Sequence, residues 1–290
     1  MYIFRRLCST LLLLCLTVQV QAAVWDVVYP KPIDDEDKRN EYPLAVLKLA
    51  LEQTGVKFQL RESVNRMAQG KAMISLAASR EINVLWSMTD STRENQLMPI
   101  RIPIYKGLIG LRLFLIKSNK QASFQRVSTL THMRDFTLVQ GKDWPDTKIL
   151  QANGFEVMTA PYYLGLFDIL VQEQADLFPR SVVEIWQEID AQKAETSIEI
   201  EPRLGVYYPT AMYFFVNKKN IILANILRSG LEKAVENGEF DKLFFKVHQP
   251  ILDQANLPGR KIFTLTNPVL PKDTPLDRKE LWFPVNSIAQ

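Results

Sequence analysis

The chain is poor in every residue type that points to thiol, metal or phosphate chemistry. Its 290 residues hold only two cysteines, Cys8 and Cys15, and both fall inside an apolar N-terminal leader. The chain beyond the leader is thiol-free, which excludes disulfide staples, cysteine nucleophiles and cysteine metal sites together. The only two histidines, His132 and His248, have no His or Cys neighbour at ligand spacing. No metal site is expected, and both histidines read as surface or capping residues. A Gly-rich phosphate loop, a nucleophile elbow and a kinase signature are all missing, so no cofactor is expected either. Nor is there an excess of charge. The leader carries two of the 35 basic residues and none of the 32 acidic ones, which leaves the remainder close to neutral. Basic residues are interspersed with acids, so a nucleic-acid partner is not expected.

The leader itself reads as an export signal. Arg5 and Arg6 precede Leu11 to Leu14 and Cys15 to Val18, and Val20-Gln21-Ala22 forms a small-residue cleavage pattern, with cutting expected after Ala22. The run is short for a membrane span, which disfavours an uncleaved anchor. Cys15 follows Leu12-Leu13-Leu14 rather than small residues. A free protein is therefore favoured over a lipid-tethered one.

Beyond the leader, strand and helix patterns alternate. Val24 to Tyr29 is β-rich. Leu44, Leu47, Ala50 and Leu51 recur at helical spacing until Gly55, and Val56 to Leu60 alternates as a strand. Val64 to Ser79 reads as a helix and Ile82 to Trp86 as a buried strand, so the opening is an α/β unit with a largely parallel sheet. A second alternation comes next: extended Tyr105 to Lys117, a strand at Phe136 to Val139, a helix to Ala152 capped by Asp146, a strand at Glu156 to Met158, a helix from Tyr163 to Gln172, and a strand at Ala175 to Phe178. Leu204 to Asn217 is extended around Pro209, Asn220 to Gly238 is an amphipathic helix, and Phe240 to Val247 a short one. The proline-rich tail from about residue 250 is expected to be looped and packed.

Three stretches carry a family likeness. The opening unit leads into Met88-Thr89-Asp90-Ser91-Thr92-Arg93-Glu94; Pro103-Ile104-Tyr105-Lys106-Gly107-Leu108 comes after it; and Tyr213 to Lys219 precedes a helix ending in Glu236-Asn237-Gly238-Glu239-Phe240. Together, over Val24 to Val247, they resemble the periplasmic solute-binding proteins of family 3, the polar-amino-acid type. The resemblance implies a two-lobed, type II periplasmic-binding-protein-like α/β fold with a hinge. After a signal over 1–22, lobe one takes 23–104 and 210–290, and lobe two takes 105–209. It further implies a periplasmic monomer that closes on a small-molecule ligand and serves a membrane transporter or a sensor.

The resemblance also nominates residues. Arg93 aligns with the family's arginine that clamps a ligand carboxylate, a task that suits the planar guanidinium fork; read alone, Arg93 is a surface residue pairing with Glu94 or Asp90. The acid that pairs with the ligand's ammonium in amino-acid binders is replaced, within Asp176 to Ser181, by Arg180 or its neighbour. An anion-bearing ligand without an α-ammonium group becomes the expectation. Arg180 is otherwise a salt-bridging residue. Tyr29 and Trp86 end strands at the carboxyl edge where open α/β sheets bind ligands, as an aromatic wall or as core, and Ser87 follows Trp86. Gly141, Lys142 and Thr147 precede a helix start that attracts anions, or form a plain turn. Two alternatives stay open. One is an enzyme of the cyclohexadienyl-dehydratase type on the same scaffold, with Asp90 as acid. The other is an accessory protein with a degenerate cleft.

Overall fold

The computed structural model describes residues 24–33, 38–192 and 197–285. The export signal and cleavage site expected over residues 1–22 lie outside them. In chain order the first stretch holds β1 (Trp25–Lys31), α1 (Glu41–Thr54), β2 (Phe58–Arg66), α2 (Gln69–Ala77), β3 (Leu85–Met88), α3 (Ser91–Gln96) and β4 (Met98–Ile100). The middle stretch holds β5 (Leu111–Lys117), α4 (Leu130–Met133), β6 (Leu138–Gly141), α5 (Pro145–Ala152), β7 (Val157–Ala160), α6 (Tyr163–Val171), β8 (Phe178–Ser181), α7 (Ile185–Gln192), β9 (Ile198–Ile200) and β10 (Leu204–Tyr207). The chain closes with β11 (Met212–Val216), α8 (Ile221–Glu236), α9 (Glu239–Ala255) and β12 (Lys261–Thr264).

These elements form two lobes. In the first, β1 and β2 pair in parallel, while β3 and β4 flank β11 antiparallel. Asn83 joins the two groups: its side-chain amide donates to the Asp26 carbonyl at 2.7 Å, and its Oδ1 accepts from the Val28 N–H at 2.9 Å. The sheet is thus less parallel than the β-α-β-α-β order implies, because the third strand pairs with a strand from late in the chain. α1 and α8 pack against each other through Gly230, where a Cβ would sit 1.8 Å from the Ala50 carbonyl oxygen. Only glycine allows that approach.

In the second lobe β5 is central, with β8 and β10 antiparallel beside it and β9 on its far end. β6 and β7 pair in parallel and touch the sheet through Leu138 and Leu177. Two segments cross between the lobes, 104–110 and 208–212. They hydrogen-bond to each other, Ile104 N–H to the Met212 carbonyl and Tyr208 N–H to the Gly110 carbonyl. A Cβ on Gly110 would lie 2.1 Å from the Tyr208 oxygen, so this hinge contact also requires glycine.

Several local expectations differ from the structure. Val64 lies in β2 and is 85% exposed, and the second helix starts only at Gln69. Asp146 does not cap α5; Trp144 holds that position and Asp146 points inward. α9 runs through Pro250 to Ala255, because Leu252 and Ala255 continue its buried stripe. His248 is not a surface residue: it is 1% exposed, ringed by Tyr42, Tyr105 and Phe244. The tail, expected to stay with the first lobe, serves both. β12 adds to the edge of the second lobe's sheet beside β10, and Thr266 bonds Asn153 there. The chain then returns, burying Leu281 and Val285, pairing Arg278 with Glu232 of α8, and donating from the Phe283 N–H to the Lys106 carbonyl at the hinge. Among the described residues no helix is long and apolar enough to cross a membrane.

Candidate functional site

A cavity of about 540 Å³ lies between the lobes, lined by both. Its two walls differ in chemistry. The first lobe presents Met67, Ala72, Leu85, Trp86, Met88 and Met212, with Arg39, Asn40 and Gln69 toward its edges. The second lobe presents an ionic floor: Arg112 at the start of β5, Asp146 on α5, Arg180 on β8 and Glu184 just before α7. Trp144 and Tyr163 frame that floor.

The floor is a connected, buried network. Arg112 Nη2 lies 2.6 Å from Asp146 Oδ1, and Asp146 also accepts from the Tyr208 hydroxyl. Arg180 forks onto Glu188, with Nε to Oε2 at 2.6 Å and Nη2 to Oε1 at 2.5 Å, and reaches Glu184 Oε2 at 3.2 Å. Glu184 Oε2 is also 3.6 Å from Arg112 Nη1, so one carboxylate oxygen links both guanidiniums. Charges this deep persist only when paired. Burial, with the neighbouring Glu188 charge, pushes the Glu184 carboxyl above its ordinary value against the pull of Arg180 and Arg112. Burial acts the same way on Glu188, but the Arg180 fork outweighs it, and that carboxyl lies below its ordinary value. From the first lobe, the Arg39 guanidinium sits 4.3 Å over the Tyr163 ring and adds positive potential at both carboxylates. Arg112 is 2% exposed and its Nε has no hydrogen-bond partner.

Of the residues nominated from sequence, Trp86, Gly141, Lys142 and Arg180 line the cavity, while Tyr29, Ser87, Asp90, Arg93 and Thr147 do not. Tyr29 stands behind Trp86, ring centroids 5.8 Å apart. Ser87 is fully buried, with its hydroxyl on the Met88 carbonyl. Asp90 caps α3, accepting from the Arg93 N–H at 2.8 Å, and lies 3.7 Å from the Arg93 guanidinium. Arg93 is 4% exposed and its donors are spent on protein: Nη1 on the Met88 carbonyl, Nε on Met73 Sδ, and Nη2 on Gln69 Oε1 and the Asp143 carbonyl of the second lobe. In this arrangement Arg93 bridges the lobes. Thr147 donates to the Gly141 carbonyl and closes the β6–α5 turn. Gly141 matters by close approach, since a Cβ there would fall 2.5 Å from the Trp144 indole. That indole in turn lies 4.6 Å from the Arg180 guanidinium. Lys142 and Asp143 are exposed at the mouth.

Sequence reasoning passed over Arg112, Asp146, Tyr163, Glu184 and Glu188 as site residues. The signals were present: Arg112 is the one charge inside an otherwise apolar strand core, Leu111 to Ile116, and a charge there needs a partner. Glu184 and Glu188 fall one helical turn apart, four and eight residues after Arg180. Among the described residues no group of His, Cys, Asp and Glu is arranged to hold a metal ion.

No protein-family model matches the sequence, and no curated protein matches it by sequence. Solved structures do match by shape. The VFT2 domain of Bordetella pertussis BvgS superposes with a TM-score of 0.59 at 17% identity, covering 77% of this chain and 93% of that one. A Salmonella typhimurium periplasmic binding protein with high arginine specificity gives 0.56 at 14% identity, covering 78% and 99%. A histidine kinase sensor domain with similarity to periplasmic binding proteins gives 0.55 at 12%, covering 77% and 95%. The chain has the two-lobed periplasmic-binding-protein fold.

Proposed function

We propose that the protein is a periplasmic solute-binding protein that captures a small carboxylate- or otherwise anion-bearing solute between its lobes, without chemistry, for a membrane transporter or a sensor. The observation that carries this reading is the inter-lobe cavity of about 540 Å³ with buried Arg112 and Arg180 in its floor. That volume falls in the range of ligand clefts, and an apolar lining with few convergent polar groups is their usual makeup. The matched proteins support a binding role, because one is arginine-specific and another is a sensor domain. The acids of the floor are already engaged by arginines, which favours an anion over an α-amino acid. In this reading Arg93 acts at closure, holding the Asp143 segment of the second lobe, and the ligand's charge is met elsewhere in the cleft.

The test is a thermal-shift screen of the mature protein across organic acids, amino acids, phosphonates and small peptides. A ligand at about 100 times its dissociation constant stabilises the native state by about 2.7 kcal/mol. An anion that raises the melting temperature, and loses that effect in a variant with the cleft blocked at Ala72→Trp, bears the reading out. A screen in which nothing shifts the transition removes it.

A further inference from the structure

Polarity is segregated across this cleft, and the segregation specifies a shape of ligand as well as a charge. We infer that the cleft takes an amphipathic monocarboxylate without an α-ammonium group, its acid end on Arg112 beside Arg180 and its apolar body against the Trp86 wall. The inference rests on the solute-binding reading above and names the ligand class for that site.

Four observations carry it. First, Arg112 lines the cavity, is 2% exposed, and has an Nε with no hydrogen-bond partner. That nitrogen has no water-accessible surface, so a ligand acceptor recovers the cost of its unmade bond by displacing the packing over it. Second, Arg180 lies next to it through the shared Glu184 oxygen, so a carboxylate at the Arg112 guanidinium stands in the field of two positive charges. Third, the carboxylates of the floor are each engaged: Asp146 by Arg112 and the Tyr208 hydroxyl, Glu188 by the Arg180 fork, Glu184 by both arginines. An ammonium placed at the same depth would meet Arg112 and Arg180 before any unengaged acid. Fourth, the centre of the facing wall is Trp86, Met88 and Met212, with Arg39, Asn40 and Gln69 only toward its edges, so the part of the ligand that faces that centre has to be apolar. The apolar lining continues to the mouth, where Ile33, Tyr162 and Leu164 are exposed on both lobes. Room therefore exists for a body longer than a single methyl or ethyl group.

The experiment uses the mature protein and isothermal titration with four probes: 3-phenylpropanoate, 3-phenylpropan-1-ol, L-phenylalanine and acetate. The alcohol removes the charge, phenylalanine adds the ammonium, and acetate removes the body. The expected result is that 3-phenylpropanoate, or an alkanoate of six to ten carbons run beside it, binds at least about tenfold more tightly than each of the other three, the scale of one charge-assisted hydrogen bond or a few buried methylenes. Phenylalanine binding as tightly as the unaminated acid overturns the inference, and so does equal binding of the alcohol. If the hydrophobic acids fail while a polar solute from the broader screen binds, the inference falls and the solute-binding reading stands; if nothing binds, both fall. Arg112→Met is expected to abolish the preference for acid over alcohol. Because that change strands Asp146, Trp86→Ala provides a second arm, in which the acid and the alcohol both weaken and their ratio stays. A Trp86→Ala protein that binds 3-phenylpropanoate at full strength also counts against the placement.

Discussion

Lowering the pH from about 7.5 to 5 should destabilise this protein through one side chain, His248. Its ring packs 4.3 Å from Tyr42, 5.0 Å from Phe244 and 5.5 Å from Tyr105, and neither ring nitrogen has a hydrogen-bond partner. Burial pushes its pKa down from 6.5 to about 3. The folded state therefore keeps the ring neutral, while the unfolded chain takes up a proton below about pH 6.5. Stability from this group is fully present above that value and is lost as the pH falls toward 3. The loss works out to about 0.8 kcal/mol at pH 6 and about 2 kcal/mol at pH 5. The pH 5 figure barely changes if the folded value is 4 rather than 3, because the unfolded state does most of the titrating there. For a chain of this size 2 kcal/mol is roughly a 4–8 °C fall in melting temperature. Other groups titrate too. Glu173, held at about 2 by Lys117 and Lys120, loses its contribution below pH 4.5, and Glu184, whose value is raised, acts with the opposite sign. A comparison with His248→Phe cancels both. Phenylalanine fits an aromatic cage with no polar demand, so the variant should be at least as stable at pH 7.5, since two orphaned nitrogens disappear. Its advantage should widen by about 2 kcal/mol at pH 5. Denaturant unfolding at both pH values is the assay. Parallel stability–pH curves for the two proteins would refute the reasoning.

Gly230→Ala should destabilise by about 1–3 kcal/mol in urea unfolding, the cost of forcing α8 off the Ala50 carbonyl, even though alanine is the better helix former by about 1 kcal/mol. Arg93→Ala should raise the radius of gyration of the ligand-free protein in X-ray scattering, because the bond to the Asp143 carbonyl joins the lobes; a side chain that served only to touch ligand would leave the ligand-free value unchanged. Truncation after Asn256 removes β12 and the buried Leu257, Leu265, Leu281 and Val285. At about 1.5–3 kcal/mol per buried side chain this loss rivals the whole stability of a typical domain, so the product should be protease-sensitive with a diminished circular dichroism signal. A folded truncated chain would assign the tail to a partner instead.

How much of this was legible in the sequence depends on which forces act locally. The strands and helices around the cleft were visible because their apolar spacing is a short-range pattern. Gly141 and Lys142 reached the cavity because strand ends and strand-to-helix loops face the cleft in this fold, whereas Trp86 and Arg180 reach it from within β3 and β8 rather than from a strand end. The misreadings share a different cause. Pro250 looked like a helix end, but Leu252 and Ala255 have a core to enter and tertiary burial outweighs the lost N–H. Asp146 looked like a cap because Arg112, its partner at 2.6 Å, is 34 residues earlier. His248 looked like a surface residue because its cage comes from Tyr42 and Tyr105, far off in sequence. β12 was unreadable for the same reason: a four-residue strand is specified by the β10 edge it joins.

The loop from Gly141 to Thr147 is anchored at three points by three different arginines. Its Asp143 carbonyl accepts from Arg93 of the first lobe, its Trp144 indole lies on Arg180, and its Asp146 carboxylate is paired with Arg112. The first anchor exists only when the lobes meet; the other two belong to the second lobe alone. A ligand carboxylate that draws on Arg112 and Arg180 therefore acts on the same loop that Arg93 holds. Closed and open forms then differ in affinity, as a ligand must require if it is to shift their balance. In the solute-binding reading proposed above, this division gives Arg93, buried and spent on protein acceptors, a role in binding. On that reading its contribution is to the population of the closed form, and the expected effect of Arg93→Ala is on the closing equilibrium and the rate of release more than on which solute is chosen.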